Sequence, residues 1–259
     1  TLQVASCHHY RDQWARAFDV TYEDESGDQQ FVHQTTYGMS ERLLGAIVAT
    51  HGDDQGLIMP PSVAPIQVIV IPIMSKQASQ DIMVEAEKIV SQLKESGIRA
   101  RIDSRDIRPG QKYYDWEIKG VPLRIEIGPR DLANNSVMCA RRTGGKNSHS
   151  LENLTATVRE ELDVIGKEMD EGSTNHFNSH IKNLPSFSRD GDKLIFDEPI
   201  QSGYVYEMAF EGNDAEAEII EKSTGLTFLG NSTSIYSKAK SCIISGQSTH
   251  NKVYLARTY

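Results

Sequence analysis

The sequence predicts a mixed α/β and α+β chain in three segments, 1–65, 66–170 and 171–259. Three observations carry that expectation. A strand-like run at residues 31–36 is expected to bend at Tyr37-Gly38 and become an apolar helical stretch with Arg42 in its first turn. The continuous β-branched run IQVIVIPI at residues 66–73 opens a segment in which strands alternate with helices, the pattern of an α/β sandwich. The polar region after residue 170 carries short strand signals around a single helix, as in a small α+β domain.

In the first segment, residues 17–22 and 29–36 are expected as strands flanking an acidic turn, 23–28, that contains Ser26-Gly27. That is a hairpin signal with a loop longer than two residues. Gly38 lets a backbone or ligand come close because it has no Cβ. Ser40 is the expected helix cap, and Leu43, Leu44, Ala46, Ile47 and Val48 form the apolar body of a buried helix. An arginine at the start of such a helix needs an anion. A phosphate-bearing ligand or a core carboxylate each satisfies Arg42 equally well on pattern alone.

In the second segment, Ile82, Ala86, Ile89, Val90 and Leu93 recur at helical spacing, and Ser96-Gly97 ends that helix. Strands follow at 98–102, 121–127 and 137–141, with a short helix at 110–119. Leu151, Leu154, Val158, Leu162, Ile165 and Met169 mark a closing helix. Residues 171–190 read as a polar linker or helix–loop. Strands at 193–196, 204–210 and 253–259 and a helix at 214–222 complete the chain.

The bulk numbers limit the function classes. A chain of 259 residues with 38% hydrophobic residues supports folded cores. No apolar run approaches the ~20 residues that span a bilayer. The chain opens on threonine without a signal peptide, which leads us to expect a fragment or a cleaved product. Cys7, Cys139 and Cys242 are far apart and suit a reducing, cytoplasmic compartment. A net charge of −9 disfavours non-specific nucleic-acid binding while leaving room for a local basic face.

Several motifs read as bland. Neighbours on a strand point to opposite faces, so Cys7-His8-His9 is not a metal triad. His176 and His180, four apart, lack the glutamate of a metalloprotease pair. Gly144-Gly145-Lys146 is a turn, Asn153-Leu154-Thr155 a sequon without use in the cytoplasm, and no nucleophile elbow is present.

The string Thr35-Thr36-Tyr37-Gly38-Met39-Ser40-Glu41-Arg42-Leu43-Leu44-Gly45-Ala46, followed by His51-Gly52-Asp53-Asp54, resembles motif 3 of class II aminoacyl-tRNA synthetases. It is most similar to the prolyl-tRNA synthetases of the archaeal and eukaryotic type. So are Leu57-Ile58-Met59-Pro60-Pro61-Ser62-Val63-Ala64-Pro65, which looks like that family's link between domains, and the run from Lys119 to Asp131 (KGVPLRIEIGPRD), which resembles its anticodon-binding domain. The resemblance covers nearly the whole chain but only the C-terminal part of such an enzyme. Motifs 1 and 2 are absent, and Arg124-Ile125-Glu126 only shares the spelling of motif 2.

The resemblance implies the end of an antiparallel catalytic sheet in 1–65, an α/β anticodon-binding domain with a mixed sheet in 66–170, and a small α+β domain in 171–259. It implies that Arg42 grips ATP phosphate and stabilises charge as the substrate carboxylate attacks the α-phosphate. Gln3 would hold the nucleotide, and Ser6, His8, Thr36 and Gly38 would shape the proline pocket. Ser6 stands at the family's threonine and Tyr37 at its tryptophan. Eleven cations lie between Arg99 and Lys146 with Tyr113, Tyr114 and Trp116 among them. Arg108, Lys112, Glu117 and Arg130 are the expected anticodon contacts, and the ordinary solvated surface is the alternative.

In this family the last domain often holds a cysteine-bound zinc. With Ser245 and Glu211 at ligand positions, Cys242 is left alone, so no zinc is expected. Tyr259 would latch back toward the active site. The implied cofactors are ATP and Mg²⁺, the latter held mainly by residues outside this chain. The implied partners are proline, tRNA(Pro), the N-terminal catalytic half and a second copy in a homodimer, with no membrane. The rival expectations are a non-catalytic tRNA-binding paralogue and a sister threonyl or glycyl enzyme.

Overall fold

The computed structural model describes residues 1–74, 79–191 and 193–258. The chain packs as two compact units: Thr1–Met39 with Thr174–Tyr259, and Ser40–Ser173.

Strand β1 (Ala5–Arg11) runs into helix α1 (Gln13–Phe18), a hairpin of β2 (Thr21–Glu23) and β3 (Gln29–Phe31), and then β4 (Gln34–Met39), which returns antiparallel to β1. The hairpin loop folds around Asp24, whose carboxylate accepts from the main chain of Ser26 and Asp28 and from Gln30. That is the local bonding that favours aspartate in turns. Residues 17 and 18, expected as strand, are helical. Arg16 pairs with Asp12 one turn earlier, and the rings of Trp14 and Phe18 stack at 5.8 Å. These i,i+4 contacts outweigh strand propensity.

The expected bend at Tyr37-Gly38 is absent. β4 passes straight through both residues, and a Cβ on Gly38 would meet nothing within 4 Å. The chain turns at Ser40 and Glu41. Ser40 supplies its carbonyl to the Leu43 amide, with no side-chain cap.

Arg11 sits at a bulge where register shifts, with φ +49°. A non-glycine residue is strained there. Arg11→Gly is therefore expected to raise stability by about 0.5–1 kcal/mol, read as a higher urea midpoint at unchanged slope.

In the second unit, helix α2 (Arg42–His51) precedes β5 (Val68–Pro72), α3 (Ser79–Glu95), β6 (Ala100–Ile102), α4 (Pro109–Ile118), β7 (Leu123–Ile127), α5 (Pro129–Ala133), β8 (Ser136–Arg141), β9 (Lys146–Ser150) and α6 (Leu154–Ser179). The sheet order is β6-β5-β7-β8-β9. The first three strands are parallel and the last two pairings antiparallel, so the sheet is mixed.

Alternation along β5 explains the layering. Val68 and Val70 pack with Ile82, Ile89, Val158 and Ile165 of α3 and α6, while Ile69 and Ile71 pack with Trp116 and Val121. Helix α2 departs from expectation: it buries no residue, and Leu44 is 60% exposed.

Glycines make one close crossing possible. The amides of Leu57 and Met59 donate to the carbonyls of Ile118 and Gly120. Gly56 (φ +130°) and Gly120 (φ +71°) face the opposite segment so closely that a Cβ on either would lie 2.6 Å from main-chain atoms. Downstream, Arg99 donates to the carbonyls of Pro61, Ser62 and Ala64, at 2.7–3.1 Å, and fixes the turn ahead of β5.

Of residues 171–190, expected as a polar linker or helix–loop, 171–179 continue α6, the second of those forms. The tail then forms β10 (Ile181–Asn183), β11 (Phe187–Asp190), β12 (Lys193–Phe196), β13 (Val205–Ala209), α7 (Asp214–Thr224), β14 (Thr227–Asn231), β15 (Lys240–Ser241), β16 (Ser248–Thr249) and β17 (Lys252–Ala256). A sheet ordered β10-β13-β17-β14 shares a core with Ile220 of α7. Asn213 and Glu216 exchange capping hydrogen bonds at the start of α7, and Gly225 ends it in the left-handed conformation. The strand expected to reach residue 259 stops at Ala256, and Tyr259 lies outside the described residues.

Candidate functional site

The β1–β4 ladder brings together all four residues expected at the amino-acid pocket. Ser6 is the register partner of Gly38, and His8 that of Thr36. Alternate residues of a strand share a face, so these four sit on one side, with Cys7, His9, Thr35 and Tyr37 on the other. The arrangement separates Cys7 and His9 from His8.

Gln3 donates to the Ser6 hydroxyl at 3.2 Å. Tyr10 continues the same face, its ring stacked on His8 at 5.3 Å. A cavity of about 280 Å³ lies beside it, lined by Tyr10, Trp14, Phe18, Val20, Gln34 and Thr36. The sequence reading missed Tyr10 and Trp14; the period of two from Ser6 through His8 was the available signal for Tyr10. An aromatic floor with the hydroxyls of Tyr10 and Thr36 and the amide of Gln34 suits a small ligand with an apolar body and a polar edge.

Arg42 is the first residue of α2. It is solvent-exposed and makes no ion pair among the described residues, so the core carboxylate left open by the sequence is not there.

A second cluster gathers on α4 and β7. Arg124 donates to Glu117 at 2.8 Å and to Glu126 at 3.0 Å, with its guanidinium 4.1 Å from the Tyr113 ring centroid. Lys146 reaches the other Glu126 oxygen at 2.8 Å. Burial pushes the Glu126 carboxyl up, but Lys146, Tyr113 and Arg124 outweigh it and hold the group below its ordinary value. Burial, then the Glu126 charge, raise the Tyr113 phenol.

A cavity of about 130 Å³ is lined by Glu117, Arg124, Arg141, Arg142, Trp116 and Gly144. Arg108 and Arg130 are exposed and form no ion pair among the described residues. Lys112 corrects the expectation. It is 3% exposed, and its ammonium donates to the Asp103 carbonyl at 3.0 Å, so it holds a loop instead of facing RNA. Arg124, set aside as a motif look-alike, is the hub that the sequence reading missed.

Arg142, itself buried, grips Asp53 through two bonds of 2.9 and 2.5 Å and also the Gly56 carbonyl. Those bonds lower the Asp53 carboxyl to about 2. A folded pKa below the unfolded value near 4 adds stability above that value, and the gain disappears as pH falls through the folded pKa. The Asp53 side chain is 44% exposed, so solvent screening reduces the contribution to about 1 kcal/mol. Asp53→Asn is expected to remove that increment at pH 7 and to match the parent at pH 2, measured by urea unfolding at both.

The cysteine-bound zinc implied by the resemblance does not fit the residues present. Ser245 donates to the Glu211 carbonyl at 2.9 Å, and the Glu211 carboxylate accepts from Thr249 at 2.6 Å and Asn251 at 2.7 Å. Cys242 is buried. Burial raises its thiol, yet hydrogen bonds to Ser245, Glu211 and Ile244 bring it below its ordinary value. One thiol beside a carboxylate already engaged by two donors is not a tetrahedral set.

Residues 67–161 match the family model described as anticodon binding domain. The proline–tRNA ligase of Thermococcus kodakarensis is 40% identical over 265 aligned residues, covering 100% of this chain and 54% of the relative. That of Methanosarcina mazei is 40% identical, covering 100% of this chain and 53% of the relative. That of Pyrococcus abyssi is 47% identical over 185 residues, 71% of this chain and 38% of the relative. The chain spans about half the length of the curated relatives it matches in full. It is thus homologous over its whole length to the C-terminal half of the proline–tRNA ligases and carries their anticodon-binding domain.

Proposed function

We propose that the chain works as the C-terminal part of a proline–tRNA ligase. Such an enzyme activates proline with ATP to prolyl-adenylate and passes the prolyl group to tRNA(Pro). The observation that carries the reading is whole-chain identity near 40% to these ligases together with an anticodon-binding domain.

In this reading residues 1–65 close the catalytic domain, 66–170 bind the anticodon and 171–259 form the C-terminal domain. Ser6, His8, Thr36 and Gly38, which share one face of the ladder, line the proline site. Gln3 and Arg42 hold ATP, and Arg108, Glu117 and Arg130, joined by Arg124, meet the anticodon. Mg²⁺ bridges ATP phosphates and is bound mainly by the other half of the enzyme. The protein acts in the cytoplasm as a homodimer.

Proline-dependent ATP–pyrophosphate exchange tests this directly. The chain is supplied with the remaining half of a proline–tRNA ligase and assayed with proline, threonine and glycine. Exchange driven by proline alone supports the reading. Absence of exchange, with retained tRNA binding that weakens with salt, would leave the chain a non-catalytic tRNA-binding module.

A further inference from the structure

The loop that leads into α4 is organised by one buried carboxylate. Asp103 is 3% exposed. Its oxygens accept from the Arg105 amide (3.1 Å), Arg105 Nε (2.9 Å), Arg105 Nη2 (2.7 Å) and Trp116 Nε1 (2.7 Å). Its own amide donates to Val70 of β5, and its carbonyl takes the Lys112 ammonium. Arg105 spends its remaining Nη1 on Asp115, one turn further along α4, at 2.7 Å.

Two of the local cations are thereby committed to the protein. Arg108, at the N-cap of α4, and Arg101 and Lys119, beside the Trp116 ring, stay exposed without an ion pair among the described residues. Tyr114 is 60% exposed on the same helix.

We propose that Asp103 is a positioning residue of the RNA-facing surface: it withdraws Arg105 from phosphate binding and fixes the direction in which Arg108 leaves the loop. The proposal rests on the tRNA reading above. Phosphate contacts supply affinity without sequence information, whereas fixed side chains at base edges supply discrimination. A cation released near the anticodon would add the first and erode the second.

The test measures binding of the 259-residue chain to a tRNA with a proline anticodon and to one with another anticodon, across a salt series. Asp103→Asn keeps an acceptor but removes the charge that holds Arg105. It is expected to steepen the slope of log K against log salt by roughly 0.7–0.9, the value of one phosphate contact. Discrimination between the two RNAs is expected to fall about tenfold. Arg105→Gln, with its fold checked by urea unfolding because it removes two hydrogen bonds to the buried Asp103 carboxylate, is expected to leave the parent slope unchanged.

A folded Asp103→Asn variant that loses affinity for both RNAs equally, at the parent slope, would show a merely structural role. So would an Arg105→Gln variant whose slope drops by one contact, because Arg105 would then already be on phosphate. If the parent chain binds neither RNA, the tRNA reading itself fails and this proposal with it.

Discussion

Arg42→Ala is expected to lower proline-dependent ATP–pyrophosphate exchange by about 100- to 1000-fold in the complete ligase, the usual cost of deleting a preorganised group that meets transition-state charge. The structure makes this variant unusually easy to interpret. Arg42 is exposed, opens a helix that buries none of its own residues, and forms no ion pair among the described residues. Removing it strands no carboxylate, so urea unfolding of the isolated chain should be unchanged within about 0.5 kcal/mol. A large loss of exchange at constant stability would place the guanidinium on the reacting phosphate. Equal exchange rates in Arg42→Ala and parent would remove Arg42 from the chemistry.

The largest expected effect on stability is at Gly120. Gly120→Val needs a β-branched side chain at φ +71°, with its Cβ 2.6 Å from the Leu57 carbonyl oxygen. Main chain cannot move aside as a flexible side-chain end can. Backbone strain and the clash together should cost about 3 kcal/mol or more. The expected readout is a lower urea midpoint and early exchange of the Leu57 and Met59 amides, which bond to the Ile118–Gly120 turn. A change below about 0.5 kcal/mol would mean that the two segments do not approach in solution.

What the sequence revealed follows from the range of the interactions involved. The run at residues 66–73 announces a strand buried on both faces because each residue needs the same chemistry whichever way it points. The period of Ile82 through Leu93 is equally local, and both elements appear where expected. The grouping of Ser6, His8, Thr36 and Gly38 was implied by the resemblance, and the ladder sets all four on one face because Ser6 and His8 are two apart, as are Thr36 and Gly38.

The failures are contacts that no local window contains. Lys112 looks like a surface cation until the Asp103 carbonyl, nine residues earlier, is brought above it. Arg142 and Asp53 are 89 residues apart, and nothing near either predicts their pairing. Apolar spacing in α2 suggested burial, yet spacing states only which face would be buried, not whether a neighbour covers it. The polar end of α6 left linker and helix–loop both open because its Gly, Ser, Thr and Asn residues are weak helix formers and carry no apolar stripe.

The contacts of Arg99 give the proline-rich run a mechanical character. Residues 60–65 include three prolines and belong to neither helix nor strand, which in most chains marks a joint. Here one guanidinium is riveted to three carbonyl groups within four residues, so bending the run would break all three attachments at once. It is a strut, and a protease seeking slack polypeptide would be expected to pass it by.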